Sequence, residues 1–153
     1  MNGRYNSKTM LLIYDQLPDG LLERDATRLH EVLAGPTLIH LAGQKPETLF
    51  VSVLLHGNET TGWEAVRQLL HKYHHKSLAR SLCLFIGNVA AARHGQRHLA
   101  DQPDYNRIWK NDTDSPEHLM AQQVVQEVSQ LDLFAAVDVH NNSGKNPHYA
   151  CVN

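Results

Sequence analysis

The chain has 153 residues, of which 42% are hydrophobic and 20% charged, as in one ordinary globular domain. A formal net charge of -2 gives no basic surface for nucleic acid or an anionic membrane, and no apolar run is long enough to span a bilayer. Residues 1–9 are polar, unlike a secretion signal, and two cysteines do not make a disulfide framework, so we expect a cytoplasmic protein.

The first half of the chain predicts two helices and two strands. Apolar residues at helical spacing predict a helix over residues 21–33, which a Gly-Pro pair ends. Residues 37–41 predict a short strand, and the nearly continuous apolar run 49–55 predicts a strand buried on both faces. A second helix is expected over about residues 61–75.

The second half predicts two more buried strands with helices between them. Ser115 is a plausible N-cap for a helix that has Pro116 at its first position. The predicted elements are a strand at 82–86, a short helix within 89–99, a loop at 102–114, a helix from 116 to about 131 and a strand at 134–139.

Strands that alternate with helices predict an α/β fold with a mainly parallel, mixed sheet flanked by helices, and we interpret residues 1–153 as a single domain. Ligands in such folds bind at the carboxyl ends of the strands. His56 and Glu59 follow one predicted buried strand, and His140 follows another. We therefore expect these three side chains to lie near one another.

These residue types are typical of a metal site. Zinc accepts imidazole and carboxylate ligands, and catalytic zinc sites commonly have three protein ligands and one open position. Asp138 precedes His140 by two residues on the same side of a strand, where it could orient a ligand. Spacing alone leaves a structural alternative open, in which His56 is a turn residue, Glu59 an acid at a helix N-terminus and His140 a polar strand end.

A second histidine pattern is weaker, although the chain has eleven histidines. His71 and His75 stand at i and i+4 on a predicted helix, a spacing that can chelate a metal. No glutamate stands where a zinc-protease helix of this type has one, so we interpret both as exposed surface residues.

Four polar segments follow one another between about residues 49 and 143. They are Leu55-His56-Gly57-Asn58-Glu59-Thr60, Gly87-Asn88 with Gly95-Gln96-Arg97, Asp104-Tyr105-Asn106-Arg107, and Asp138-Val139-His140. In this order they resemble the succinylglutamate desuccinylase/aspartoacylase family, which has the zinc carboxypeptidase fold, although Tyr105 stands where the family has leucine.

The resemblance implies one zinc ion per chain and a role for several polar residues. The implied zinc ligands are His56, Glu59 and His140. Arg97 would polarise the substrate carbonyl and stabilise its oxyanion. Arg107, helped by Asn106, would bind a substrate carboxylate through its planar guanidinium.

The implied reaction is hydrolysis of the amide bond of an N-acyl amino acid, a small molecule that bears a carboxylate. The family's general base is a glutamate on a later strand, and none of the thirteen residues after His140 is acidic. We therefore expect a fragment that is incomplete at its C-terminus, with the base beyond residue 153. Two alternatives stay open: a zinc carboxypeptidase that acts on peptide C-termini, and a non-catalytic module that binds zinc or carboxylates.

Overall fold

The computed structural model describes residues 3–5, 10–73, 76–110, 114–142 and 149–151, which contain one mixed β-sheet with helices packed against it. The strands are β1 (Arg4–Tyr5), β2 (Leu12–Tyr14), β3 (Thr37–Leu41), β4 (Thr48–Val53), β5 (Leu82–Ile86) and β6 (Leu133–Asp138). The helices are α1 (Thr61–Tyr73), α2 (Val89–Arg93), α3 (Pro116–Ser129) and a 3₁₀ helix at Ala26–Glu31.

The described strands lie in the order β1-β2-β3-β5-β4-β6. β5, β4 and β6 run parallel to one another, β2 runs parallel to β3, and antiparallel pairing joins β1 to β2 and β3 to β5. The predicted α/β fold with a mainly parallel, mixed sheet is therefore confirmed. Because β4 and β6 are parallel neighbours, their carboxyl ends meet at one edge of the sheet, where folds of this kind bind ligands.

Apolar side chains pack on both faces of the sheet. All five residues of β5 are buried, as expected for a strand that lies between β3 and β4. One core cluster contains Trp63 of α1 and Leu29 of the 3₁₀ helix, and the other contains Phe85 of β5 and Met120 of α3. Each fully buried side chain of this size contributes about 1.5–3 kcal/mol. The strand ends that bear the candidate site thus project from a well-packed core.

The helix predicted over residues 21–33 is wrong in length and type, since only Ala26–Glu31 are helical and the turn is 3₁₀. The side chain of Asp25 accepts hydrogen bonds from two backbone N–H groups of the first turn, at 2.9 and 3.1 Å, and so fixes where the helix begins. Leu29 and Leu33 are fully buried, as their spacing suggested. The spacing of the apolar residues therefore predicted correctly which side chains are buried, but it did not predict the length of the helix.

The predicted strands β3 and β5 are confirmed at residues 37–41 and 82–86. The strand predicted at 49–55 begins one residue earlier and ends at Val53. It ends there because Leu54 has a φ of 56°, a left-handed conformation that cannot continue an extended strand.

Two other predicted helices, α1 and α3, lie close to their expected positions. α1 begins at Thr61 and is described to Tyr73, while the predicted end at residue 75 lies outside the described residues. α3 has Ser115 as its N-cap, as predicted, and ends at Ser129. In the part of the predicted 102–114 loop that the structure describes, there is neither helix nor strand. None of the described helices is long and apolar enough to cross a membrane.

β6 is a strand, as predicted, but the prediction that it is buried is wrong. Phe134 is 61% exposed and Val137 is 44% exposed. The reason is its position, because β6 is an edge strand that pairs only with β4 among the described residues. The guanidinium carbon of Arg80 lies 3.7 Å from the ring centre of Phe134, a cation–π contact that covers part of that ring.

Candidate metal centre

The turn after β4 places His56 at the carboxyl edge of the sheet. Leu54 turns the chain out of the strand, and its backbone oxygen accepts a hydrogen bond from the N–H of Asn88 at 2.7 Å. Gly57 then lies against the backbone of α2, where a Cβ would come within 2.2 Å of the nitrogen of Ala92. Only glycine allows so close an approach, which explains the glycine after His56.

Three side chains from two separate strand ends meet at this edge. One ligand atom from each of His56, Glu59 and His140 lies within 4.8 Å of the others, and the described residues contain no second group of this kind. The imidazole rings lie 5.1 Å apart between centroids. The side chain of His56 is 2% exposed and that of His140 is 28% exposed, so solvent reaches the cluster from the side of His140.

Glu59 lies between the two imidazoles. Its Oε1 is 2.9 Å from Nδ1 of His56, and its Oε2 is 2.8 Å from Nδ1 of His140. Oε2 also accepts a hydrogen bond from the backbone N–H of Asn141 at 3.0 Å. Glu59 lies two residues before the first residue of α1, so the helix dipole favours its negative charge.

A second carboxylate contacts each imidazole at Nε2, on the side of the ring opposite Glu59. Nε2 of His56 lies 2.8 Å from Oδ1 of Asp104, and Nε2 of His140 lies 2.6 Å from Oδ2 of Asp138. An imidazole that donates from Nε2 to a carboxylate presents the lone pair of Nδ1 on its other side, here towards Glu59. Carboxylates placed in this way fix the orientation of metal-binding histidines.

The donor set fits a divalent metal ion such as zinc. Two imidazole lone pairs directed at one carboxylate would repel it, so a cation or a proton has to lie between them. Zinc accepts this combination of nitrogen and oxygen ligands. A proton can take the same place: burial lowers the pKa of His140, but the charge of Asp138 and hydrogen bonds to Glu59 and Asp138 raise it above its ordinary value.

Asp104 connects His56 to the segment that contains the predicted substrate-binding residues. Besides His56, it accepts hydrogen bonds from the backbone N–H of Asn106 at 2.9 Å and from Nη2 of Arg97 at 3.1 Å. Partial burial raises the pKa of Asp104, but these hydrogen bonds outweigh that effect and lower the pKa to about 2. Sequence reasoning gave Asp104 no role, although its place at the head of the Asp-Tyr-Asn-Arg segment was a signal.

Asp138 is held by its neighbour on β4. The two strands are in register so that Asp138 lies opposite Ser52, whose Oγ donates a hydrogen bond to Oδ1 of Asp138 at 2.5 Å. The sequence placed Asp138 and His140 on one side of a strand, and the structure shows them in contact. It did not single out Ser52, because a serine inside an apolar strand has no motif of its own.

The structure brings one of the two predicted arginines to the cluster. Nη1 of Arg97 lies 3.5 Å from Oε1 of Glu59, and its side chain is 47% exposed. Arg107 is exposed, and its Nη1 donates to the backbone oxygen of Asn106 at 3.1 Å. Asn106 lines an apolar groove of about 410 Å³ that Asp138 also lines. The roles that we predict for Arg97, Asn106 and Arg107 stay predictions.

The weaker His71–His75 pattern forms no metal cluster among the described residues. Nε2 of His71 lies 3.0 Å from the backbone oxygen of Leu22, which gives this nitrogen a different partner. His75 lies outside the described residues.

The α/β fold and this edge define a class of protein: an α/β domain with a candidate metal centre at the ends of parallel strands. The family model of the succinylglutamate desuccinylase/aspartoacylase catalytic domain matches residues 45–152, and the chain belongs to this family. The membership that the four sequence segments predicted is thus confirmed. Comparisons with curated proteins and with solved structures found no significant match.

Proposed function

We propose that this chain is the zinc-binding part of a hydrolase that cleaves the amide bond of N-acyl amino acids. The observation that supports it best is the position of Glu59 between Nδ1 of His56 and Nδ1 of His140, with a carboxylate behind each ring. This gives three ligands of the types that catalytic zinc sites use, on a side open to solvent. Membership in a family of hydrolases supports the type of reaction.

A bound zinc ion would supply Lewis-acid polarisation of the scissile carbonyl and a more acidic water molecule. His56, Glu59 and His140 would hold one ion per chain. Arg97, which lies at 3.5 Å from Glu59 and is half exposed, would stabilise negative charge on the carbonyl oxygen.

The substrate carboxylate is the second recognition element in this proposal. The exposed guanidinium of Arg107 would bind it through two parallel hydrogen bonds. Asn106 would add a hydrogen bond from the same loop. Both residues adjoin Asp104, whose contact with His56 fixes this loop relative to the metal ligands.

Amide hydrolysis also needs a general base, and the three carboxylates of the site already have other partners. Glu59 contacts both imidazoles, Asp104 accepts from His56, and Asp138 accepts from His140. Among the described residues of the site, no carboxylate is left to move a proton. We therefore propose that the base comes from a part of the protein outside residues 1–153.

A turnover assay of the full gene product tests this proposal, with residues 1–153 assayed in parallel. We expect zinc-dependent release of the amino acid from N-acyl amino acids, and turnover by residues 1–153 that is slower by about 10²–10⁴-fold because the base is missing. Both proteins should be stripped with a chelator and reloaded with zinc, so that their metal occupancy matches.

Three results would contradict parts of the proposal. Preferred cleavage of peptides at their C-terminal residue would indicate a zinc carboxypeptidase. Zinc binding without turnover by the full product would indicate a non-catalytic binding module. Equal turnover by the two proteins would show that the base lies within residues 1–153.

A further inference from the structure

Ser52 is a buried hydroxyl in an otherwise largely apolar strand. β4 has the sequence Thr-Leu-Phe-Val-Ser-Val, and Ser52 is 4% exposed. A buried hydroxyl costs free energy unless it makes a hydrogen bond, so its partner indicates why a serine stands there. That partner is Oδ1 of Asp138 on the neighbouring strand β6, at 2.5 Å.

Asp138 continues this contact into the candidate metal centre. Its second oxygen, Oδ2, lies 2.6 Å from Nε2 of His140, and Nδ1 of the same ring lies 2.8 Å from Glu59. Ser52, Asp138 and His140 therefore form one continuous chain of hydrogen bonds that runs from the sheet to Glu59. With one oxygen held on each side, the carboxylate of Asp138 cannot rotate without losing a partner.

Asp138 depends on such a support more than Asp104 does. The carboxylate of Asp104 has three hydrogen-bond partners, which are His56, Arg97 and the backbone N–H of Asn106. Asp138 lies on the exposed edge strand with a side chain that is 40% exposed. Within the described part of the chain, the Ser52 hydroxyl makes the one hydrogen bond to Asp138 on the side away from His140.

We propose that Ser52 is a positioning residue of the metal centre, which holds Asp138 so that His140 presents Nδ1 to the ion. The inference rests on the proposed function, which supplies the metal. Ser52 itself touches neither the ion nor the substrate. Its hydroxyl should therefore affect metal affinity, and should do so only through Asp138.

The experiment measures the zinc dissociation constant by chelator competition and the visible spectrum of the cobalt-substituted chain. We expect Ser52→Val to weaken zinc binding about 3–10-fold and to shift the cobalt bands, a smaller loss than the roughly 10–100-fold expected for Asp138→Ala. Ser52→Thr has nearly the same shape as the valine variant but keeps the hydroxyl. We expect it to bind zinc like the unaltered chain.

A double variant separates positioning from a general structural effect. In the Asp138→Ala background, Ser52→Val should cause no further loss, because residues that act through one another are not additive. Ser81→Ala is the matched control, since it removes a hydroxyl that donates to the backbone oxygen of Lys45, before the start of β5. It should leave zinc affinity unchanged.

The outcomes distinguish this inference from the proposed function. Equal zinc affinity of the threonine and valine variants would overturn the inference alone, as would an undiminished effect of Ser52→Val in the Asp138→Ala background. Failure of the unaltered chain to bind zinc would overturn the proposed function and the inference with it.

Discussion

Glu59 and His140 contact each other at 2.8 Å between Oε2 and Nδ1, although one precedes α1 and the other follows β6. The contact forms because β4 and β6 are parallel neighbours, so that the chain leaves both strands at the same edge. Nε2 of His140 faces Asp138, which directs the opposite nitrogen at a second carboxylate. The ring of His140 is therefore held between two carboxylates.

The unaltered chain should bind one zinc ion, and His56→Ala should abolish tight binding. The variant removes one of the three proposed ligands from a site where His56 is almost fully buried. Metal analysis after gel filtration at neutral pH measures the occupancy, since low pH strips zinc from its ligands. His94→Ala, which changes an exposed histidine outside the cluster, is the control and should keep its zinc. Equal occupancy in all three proteins would contradict the assignment.

Asp104→Ala should weaken zinc binding by about 10–100-fold without removing a ligand. Its carboxylate holds Nε2 of His56 at 2.8 Å, and without it the ring is free to turn and to change tautomer. The zinc dissociation constant, measured by competition with a chelator, shows the effect. Asp101→Ala removes an exposed carboxylate from the same loop and should bind zinc normally. An unchanged constant for Asp104→Ala would show that this contact does not orient the ligand.

The location of the site could be predicted from the sequence because it depends on short-range features. His56 and His140 each stand just after an apolar run, and in an α/β fold the ends of parallel strands share an edge. The family motifs then favoured a metal site over the alternative in which these residues have only structural roles. No knowledge of how the helices pack was needed to bring these residues together.

The supporting contacts and the burial of β6 could not be predicted in the same way. Asp104 reaches His56 from a loop, where no periodicity fixes the path of the chain. Ser52 meets Asp138 only through the register of β4 against β6, which a single sequence does not show. The apolar composition of β6 predicted a strand, but its exposure depends on how many neighbours it has.

Gly57→Ala should destabilise the chain by more than the 1–3 kcal/mol typical of an overpacked site. The added methyl group would meet the backbone of α2 at 2.2–2.4 Å, and backbone cannot move aside as a side chain can. Urea unfolding measures the loss. Gly35→Ala is the control, because its Cβ would meet only the backbone oxygen of Met10 at an ordinary 3.6 Å. Similar midpoints for the two variants would show that the turn does not need this close approach.

Cys151 should react with a thiol reagent in the folded chain, and Cys83 should not. Cys151 is exposed, whereas Cys83 is fully buried in β5, where burial and then the charge of Glu127 raise the pKa of its thiol to about 12. A colorimetric thiol assay should find one reactive group in buffer and two in denaturant. The Cys151→Ser variant should show none until it is unfolded. Fast reaction of that variant in buffer would mean that the sheet opens around Cys83.

Arg107→Ala should chiefly weaken the binding of a carboxylate-bearing substrate by the full gene product, by about 1.5–3 kcal/mol, the range for hydrogen bonds to charged groups. The exposed guanidinium adjoins Asn106, in the loop that Asp104 fixes to His56. KM and kcat measured on an N-acyl amino acid and on its amide, which lacks the carboxylate, show whether the loss depends on that group. Arg107→Lys keeps the charge but loses the planar fork, so we expect an intermediate KM. Arg93→Ala, at an exposed position in α2, should behave like the unaltered enzyme. Equal losses on the acid and the amide would show that Arg107 does not recognise the carboxylate.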